Sequence, residues 1–65
     1  MIGENIKFYR NLAKLTQEQL AIKLNISQST LANYEKNKRD ISTDILKNLC
    51  KILNITADEL LGIDK

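Results

Sequence analysis

The sequence predicts an all-α fold, a compact single domain of five short helices over residues 1–65. The apolar residues are mostly isoleucine and leucine, and the chain has no valine, tryptophan or proline, so the residues that a small sheet needs are scarce. Apolar residues also recur at helical spacing between polar residues that favour helix ends. A chain of 65 residues is long enough for only one domain.

The first three helices are predicted over residues 2–13, 17–24 and 28–36. Thr16 begins a capping box, because its hydroxyl can accept the backbone N–H of Gln19 while the Gln19 side chain reaches back. Ser27 is a good N-cap for the third helix. Asn25 and Asn37 follow the second and third helices, and asparagine tolerates the left-handed conformation that ends many helices. The apolar stripe of the first helix consists of Ile2, Ile6, Tyr9 and Ala13.

The last two helices are predicted over residues 43–53 and 57–61. Ser42 is an N-cap for the fourth, and Thr56 begins a second capping box with Glu59. Gly62 is placed to end the fifth helix. None of the five helices could fold alone at these lengths, so packing of their apolar stripes must hold them together.

The connection between the second and third helices is only three residues long, Asn25 to Ser27. So short a connection makes the two helices cross steeply and touch, which is a helix-turn-helix over about residues 17–36. Ala21 is the small residue that such a close crossing needs. The outer face of the third helix then carries short or amide-bearing side chains, namely Gln28, Ser29, Ala32 and Asn33, with Lys36 at its end.

That outer face fits the major groove of double-stranded DNA. Gln28 and Asn33 each present a donor and an acceptor together, which matches N6 and N7 of adenine. Ser29 and Ala32 are small enough for a close approach and can contact a thymine methyl group. The predicted base contacts are Ser27, Gln28, Ser29, Ala32 and Asn33. The alternative is a polar face that only meets solvent.

Three cations lie within four residues at the end of this helix and directly after it, from Lys36 to Arg39. A short run of charge is usually a solvated loop, but beside a DNA-reading helix we expect it to neutralise phosphates. The net charge of +2 and the pI of about 8.8 are compatible with nucleic acid and decide nothing alone.

The chain resembles the phage-repressor/Cro family of helix-turn-helix domains, also called the xenobiotic-response-element (XRE) family, over nearly its whole length. The stretches that carry the resemblance are residues 6–10, 15–21, 26–31 and 34–39. The resemblance implies a lambda-repressor-like domain of five helices whose third helix lies in the major groove. It also implies phosphate contacts, which fall on Thr16, Gln17, Thr30, Lys36, Asn37, Lys38 and Arg39.

Arg10 and Glu35 match a family pair that bridges the first and third helices, and we interpret them as structural. The family commonly has glycine where Lys14 and Asn25 stand. Asparagine adopts a left-handed backbone easily, whereas a left-handed lysine costs on the order of 1 kcal/mol. We therefore expect either strain at Lys14 or a differently shaped turn.

We predict a DNA-binding transcriptional regulator, most simply a repressor, that binds a pseudo-palindromic operator as a homodimer with half-sites about one helical turn apart. Two alternatives stay open. The fold could serve as a protein-interaction module, such as an antitoxin or an antirepressor partner, or the chain could be the DNA-binding domain of a longer repressor.

Two apolar surfaces are candidates for the dimer interface. Phe8 and Leu12 lie beside the stripe of the first helix, so they either widen the core stripe or form an exposed patch for a partner. The resemblance implies the second candidate, the tail of the fifth helix from Leu60 to Ile63, because the family often dimerises there.

Catalysis, cofactors and metal sites are not expected. The chain has no histidine, one cysteine (Cys50), no glycine-rich phosphate loop and no nucleophile–base pair. We interpret Cys50 as a small core or boundary residue. The sequence shows no charged-then-apolar leader and no run of 18 apolar residues, so we expect a cytoplasmic protein without a membrane segment.

Overall fold

The computed structural model describes residues 2–62, and these residues form five α-helices. The helices are α1 (Ile2–Leu12), α2 (Gln17–Leu24), α3 (Gln28–Glu35), α4 (Thr43–Leu53) and α5 (Ala57–Leu61). The predicted all-α, five-helix architecture is confirmed. The predicted ends of the first and third helices lie one residue too far along, since Ala13 and Lys36 fall just outside α1 and α3. Ile63, the end of the second predicted dimer surface, lies outside the described residues.

Side-chain caps begin four of the helices, as predicted. The Thr16 hydroxyl accepts the Gln19 backbone N–H at 3.0 Å, and the Gln19 side chain accepts the Thr16 N–H at 2.8 Å. Thr56 and Glu59 repeat this capping box at 3.1 and 2.8 Å. Single serine caps precede the other two helices, Ser27 before α3 and Ser42 before α4. Each cap satisfies a first-turn N–H that the helix itself cannot pair.

Left-handed residues follow every helix in the described part of the chain. Asn25, Asn37 and Gly62 have φ values of 59°, 60° and 71°, as their positions in the sequence predict. Asn54, which ends α4 with φ 57°, carries the same signal and was not anticipated. Lys14 also adopts φ 62°, so of the two expectations for this position the strained left-handed turn is the one that the structure shows.

The core is a single cluster to which all five helices contribute. Its fully buried members include Leu20 and Leu31 from the α2–α3 pair and Leu49 from α4. The remaining buried apolar residues are Ile6, Ala21, Leu24, Tyr34, Leu53 and Leu60. Ala13 was expected to belong to the α1 stripe but is exposed, because α1 ends before it and the chain turns at Lys14.

Phe8 and Leu12 form an exposed patch on α1 and do not widen the core stripe. Their side chains are 58% and 65% exposed. The Phe8 ring packs edge-to-face with the neighbouring Tyr9 ring, with the ring centroids 5.1 Å apart. Cys50 is half-buried beside the core, and partial burial raises the pKa of its thiol, which favours the protonated form.

The Lys14 turn gives a stability prediction. Glycine has no Cβ to penalise positive φ, so Lys14→Gly should raise the free energy of unfolding by about 0.5–1 kcal/mol, net of the greater freedom of glycine in the unfolded chain. Urea denaturation followed by circular dichroism measures the change. Lys14→Ala is the matched control: it removes the same side chain but keeps Cβ, and it should give no gain. A similar gain from both variants would locate the effect in the lysine charge and not in the backbone.

Candidate nucleic-acid interface

The turn between α2 and α3 fixes the angle at which α3 leaves the core. Asn25 ends α2 in the left-handed conformation, and the Ile26 backbone N–H then donates to the Ala21 carbonyl at 3.0 Å. Ala21 is 2% exposed and small, which lets the two helices approach closely. Because Leu20 and Leu31 are fully buried on either side of this turn, α3 presents its opposite face to solvent.

The face that α3 presents is the one expected to contact bases. Gln28, Ser29 and Asn33 are exposed, and Ala32 is half-buried beside them. Ser27 is also exposed, but its hydroxyl is engaged in the helix cap, where it accepts the Thr30 N–H at 3.1 Å and donates to the Thr30 hydroxyl at 2.8 Å. The structure therefore brings the predicted base-contact residues together on one surface, with the hydroxyl of Ser27 the least available of them.

Arg10 and Glu35 form a buried ion pair between α1 and α3. Arginine Nε lies 2.7 Å from Glu35 Oε2, and Nη2 lies 3.3 Å from Oε1. The two side chains are only 10% and 5% exposed. The third arginine nitrogen, Nη1, donates to the Leu15 carbonyl at 3.0 Å and to Asn11 Oδ1 at 3.2 Å. Buried charges are tolerated only when they are both paired and hydrogen-bonded, and this arginine is both.

A chain of side-chain amides connects this buried pair to the exposed face of α3. Gln17 Nε2 donates to Glu35 Oε1 at 3.0 Å, and Gln17 Oε1 accepts from Gln28 Nε2 at 3.3 Å. The carboxylate can only accept, so it fixes which end of the Gln17 amide faces it. The Gln17 oxygen then faces Gln28, and because that oxygen can only accept, Gln28 must direct its NH2 group toward it.

A cleft of about 280 Å³ opens between α1, α2 and α3 above the same pair. Lys7 and Lys36, both exposed, line it together with Gln17 and the ion pair. Arg10 and Glu35 neutralise one another, so the two lysines leave the cleft positive. Lys7 was not among the predicted phosphate contacts, although its position three residues before Arg10 puts the two residues on one helix face.

The other predicted phosphate contacts lie around this cleft and beyond α3. Thr16 is exposed and caps α2, and Gln17 and Thr30 are half-buried. The basic loop (residues 36–39) follows α3, and all four of its side chains are exposed. Asn37 differs from its neighbours, because its Oδ1 accepts the backbone N–H of Gly3 at 2.9 Å.

Residues 2–62 hold no cluster of histidine, cysteine, aspartate or glutamate side chains suited to a metal ion. Over the same residues, no helix combines the length and the apolar character that crossing a membrane requires.

Comparison with known proteins identifies the family. A family model described as helix-turn-helix matches residues 6–60. The chain is 42% identical over 64 residues to the HTH-type transcriptional regulator ImmR of Bacillus subtilis (strain 168), a match that covers 98% of this chain and 50% of ImmR. It is 35% identical over 65 residues to antitoxin PezA of Streptococcus pneumoniae serotype 4, covering 100% of this chain and 41% of PezA. The chain thus spans half or less of the length of these two relatives.

The fold also matches a repressor that has been solved on DNA. The P22 c2 repressor protein in complex with synthetic operator 9T aligns with a TM-score of 0.89 and 26% identity, over 98% of this chain and 97% of the repressor. The predicted resemblance to phage repressors is confirmed by the family model and by this match.

Breaking the buried pair should destabilise the domain strongly. Arg10→Met leaves the Glu35 carboxylate buried without its partner, and we expect it to lower the free energy of unfolding by about 3–5 kcal/mol. Chemical denaturation measures the loss. Arg10→Met combined with Glu35→Leu should recover much of it, because no buried charge is then left unpaired. If the double variant were as unstable as the single one, the loss would come from packing.

Proposed function

The chain belongs to the helix-turn-helix family, and on that premise we propose that it is a sequence-specific DNA-binding transcriptional regulator that represses by occupying an operator. The observation that carries the proposal is the fixed, exposed amide and hydroxyl face of α3, followed directly by a loop with three exposed cations. The first feature suits base edges and the second suits phosphates. In this proposal the regulator acts on DNA in the cytoplasm.

In this proposal α3 lies in the major groove and reads bases. Gln28 uses one amide N–H on Gln17, so its oxygen and its second N–H are left for the N6 and N7 groups of an adenine. Asn33, one and a half turns further along, can make the same kind of contact. Ser29 and Ala32 lie between them and leave room for a thymine methyl group. Ser27 would add a weaker contact, since its hydroxyl already serves the cap.

Contacts with phosphates set the position of the protein along the duplex and supply much of its affinity for DNA. Thr16 and Gln17 lie at the start of α2, where backbone N–H groups favour anions. Lys36, Lys38 and Arg39 of the basic loop supply charge at the other end of α3, with Thr30 between. We add Lys7 to this set because it lines the same positive cleft as Lys36 and Gln17.

The proposal includes a homodimer on a pseudo-palindromic operator. One α3 helix offers few base-contacting side chains, too few to select a unique site. Two copies on half-sites about one helical turn apart double the contacts.

A second candidate function is a protein-binding module of the antitoxin kind. The similarity to antitoxin PezA favours it, as does the exposed Phe8 and Leu12 patch on α1. Such a module would bind a partner protein through an apolar surface and would have no need of the amide face of α3.

A selection experiment separates the two functions. Duplexes bound from a random pool should converge on a symmetric site if α3 reads bases. Asn33→Ala should then weaken binding to the selected duplex by about 1–3 kcal/mol, while binding to unrelated duplex changes little. Asn48→Ala, an exposed asparagine on α4, is the matched control and should bind as the unchanged protein does. Failure to retain any duplex would favour the protein-binding module, and an unaffected Asn33→Ala variant would remove Asn33 from the base contacts.

The positive cleft predicts a measurable ionic contribution from Lys7. Each phosphate that a lysine or arginine neutralises makes the plot of log affinity against log salt concentration steeper by about 0.9. Lys7→Gln removes one such contact, so it should make the plot less steep by roughly one unit on any duplex sequence. Fluorescence anisotropy at several salt concentrations gives the slope. Lys51→Gln, an exposed lysine on α4, should leave it unchanged. Equal slopes for both variants and the unchanged protein would exclude Lys7 from the interface.

A further inference from the structure

The first turn of α1 and the end of α3 are in direct contact. Gly3 is buried there, and an added Cβ would lie 2.5 Å from the carbonyl oxygens of both Tyr34 and Glu35. The same position would be 2.8 Å from Asn37 Oδ1. Only glycine allows this approach, and through it the Gly3 backbone N–H reaches Asn37 Oδ1 at 2.9 Å.

Asn37 acts as a cap for a helix that is 34 residues away in sequence. The first-turn N–H groups of an α-helix have no acceptor within their own helix, and Gly3 is the second residue of α1. The left-handed backbone at Asn37, with φ 60°, turns the chain at the end of α3 where this contact is made. The carbonyl end of α3 thus faces the N–H end of α1, an arrangement that the two helix dipoles favour.

We propose that Asn37 is a positioning residue of the DNA site and that it works by fixing the basic loop against α1. This inference rests on the proposed DNA-binding function. It differs from the expectation that Asn37 is itself a phosphate ligand. A phosphate oxygen can only accept, so the Asn37 oxygen cannot bind it; that oxygen is held on Gly3, and only the Asn37 NH2 group is left to donate to a phosphate.

The other backbone hydrogen bonds that the structure shows for the basic loop go to α3. The Asn37 N–H donates to the Tyr34 carbonyl at 3.1 Å, and the Lys38 N–H donates to the Asn33 carbonyl at 2.9 Å. Both bonds continue the last turn of α3 and do not connect the loop to another helix. The contact with Gly3 connects the loop to a different helix, whose Arg10 is already fixed to Glu35. Lys36, Lys38 and Arg39 then extend from a backbone that is held on two sides.

The test compares two asparagine-to-glycine changes. Asn37→Gly keeps the left-handed backbone but removes the oxygen that holds Gly3. Asn25→Gly makes the same change at the left-handed end of α2 and serves as the matched control. Amide hydrogen exchange at Gly3 in the free protein reports the contact, and duplex affinity at several salt concentrations reports the loop.

We expect Asn37→Gly to speed exchange at Gly3 by about tenfold or more and to weaken duplex binding by roughly 5–10-fold. The plot of log affinity against log salt concentration should also become less steep by about one unit, because the cations of a loosened loop contact phosphates less completely. Asn37→Asp, which retains a side-chain oxygen, should keep exchange at Gly3 slow. Asn25→Gly should change neither affinity nor slope.

Two results would overturn the inference. If Asn37→Gly weakened binding with an unchanged salt slope, Asn37 would be a neutral phosphate contact and not an anchor. If exchange at Gly3 increased while affinity and slope stayed as in the unchanged protein, the contact would serve stability alone. Both differ from failure of the proposed function, in which the unchanged protein itself would show no salt-dependent duplex binding.

Discussion

The buried pair of Arg10 and Glu35 is the interaction on which the rest of the structure depends. It joins α1 to α3 with two hydrogen bonds, and through the Leu15 carbonyl it also holds the turn before α2. An ion pair removed from water gains little net stability, because desolvation offsets the attraction between the charges. The pair instead specifies geometry. Its two parallel hydrogen bonds form in only one arrangement of α1 and α3, whereas an apolar contact would tolerate several.

This constraint reaches the surface through hydrogen bonds that have a fixed polarity. Glu35 can only accept, so Gln17 must donate to it and accept from Gln28. The Gln28 amide on the exposed face of α3 is therefore oriented from inside the domain. The cations that surround it, Lys7 and those of the basic loop, are exposed and belong to long side chains that adapt to their partner. Rigid amides suit the recognition of sequence, and adaptable cations suit attraction to any phosphate backbone.

A domain this small has few apolar residues with which to define its helices. Capping side chains and left-handed residues therefore set many of the helix ends. Capping side chains begin α2 to α5, and left-handed residues follow each helix. Lys14 is the one non-glycine residue other than asparagine among them. A lysine held there in the left-handed region indicates that packing of Tyr9 and Leu15 against the core outweighs the local backbone preference.

The sequence by itself determined the helices, their caps, the apolar stripes and the surface of α3, because each depends on residues a few positions apart. The tight turn at Asn25, the buried Ala21 and the exposed Gln28 and Asn33 all follow from local spacing. Only the tertiary structure decided what depends on distant residues: the contact of Gly3 with the end of α3, the use of Asn37 as a cap, the place of Lys7 beside Lys36, and the exposure of Phe8 and Leu12. These features could not be predicted from the sequence, because the spacing of apolar residues within a helix does not show which other helix it packs against. A single glycine or lysine likewise does not indicate which distant residue it contacts in the fold.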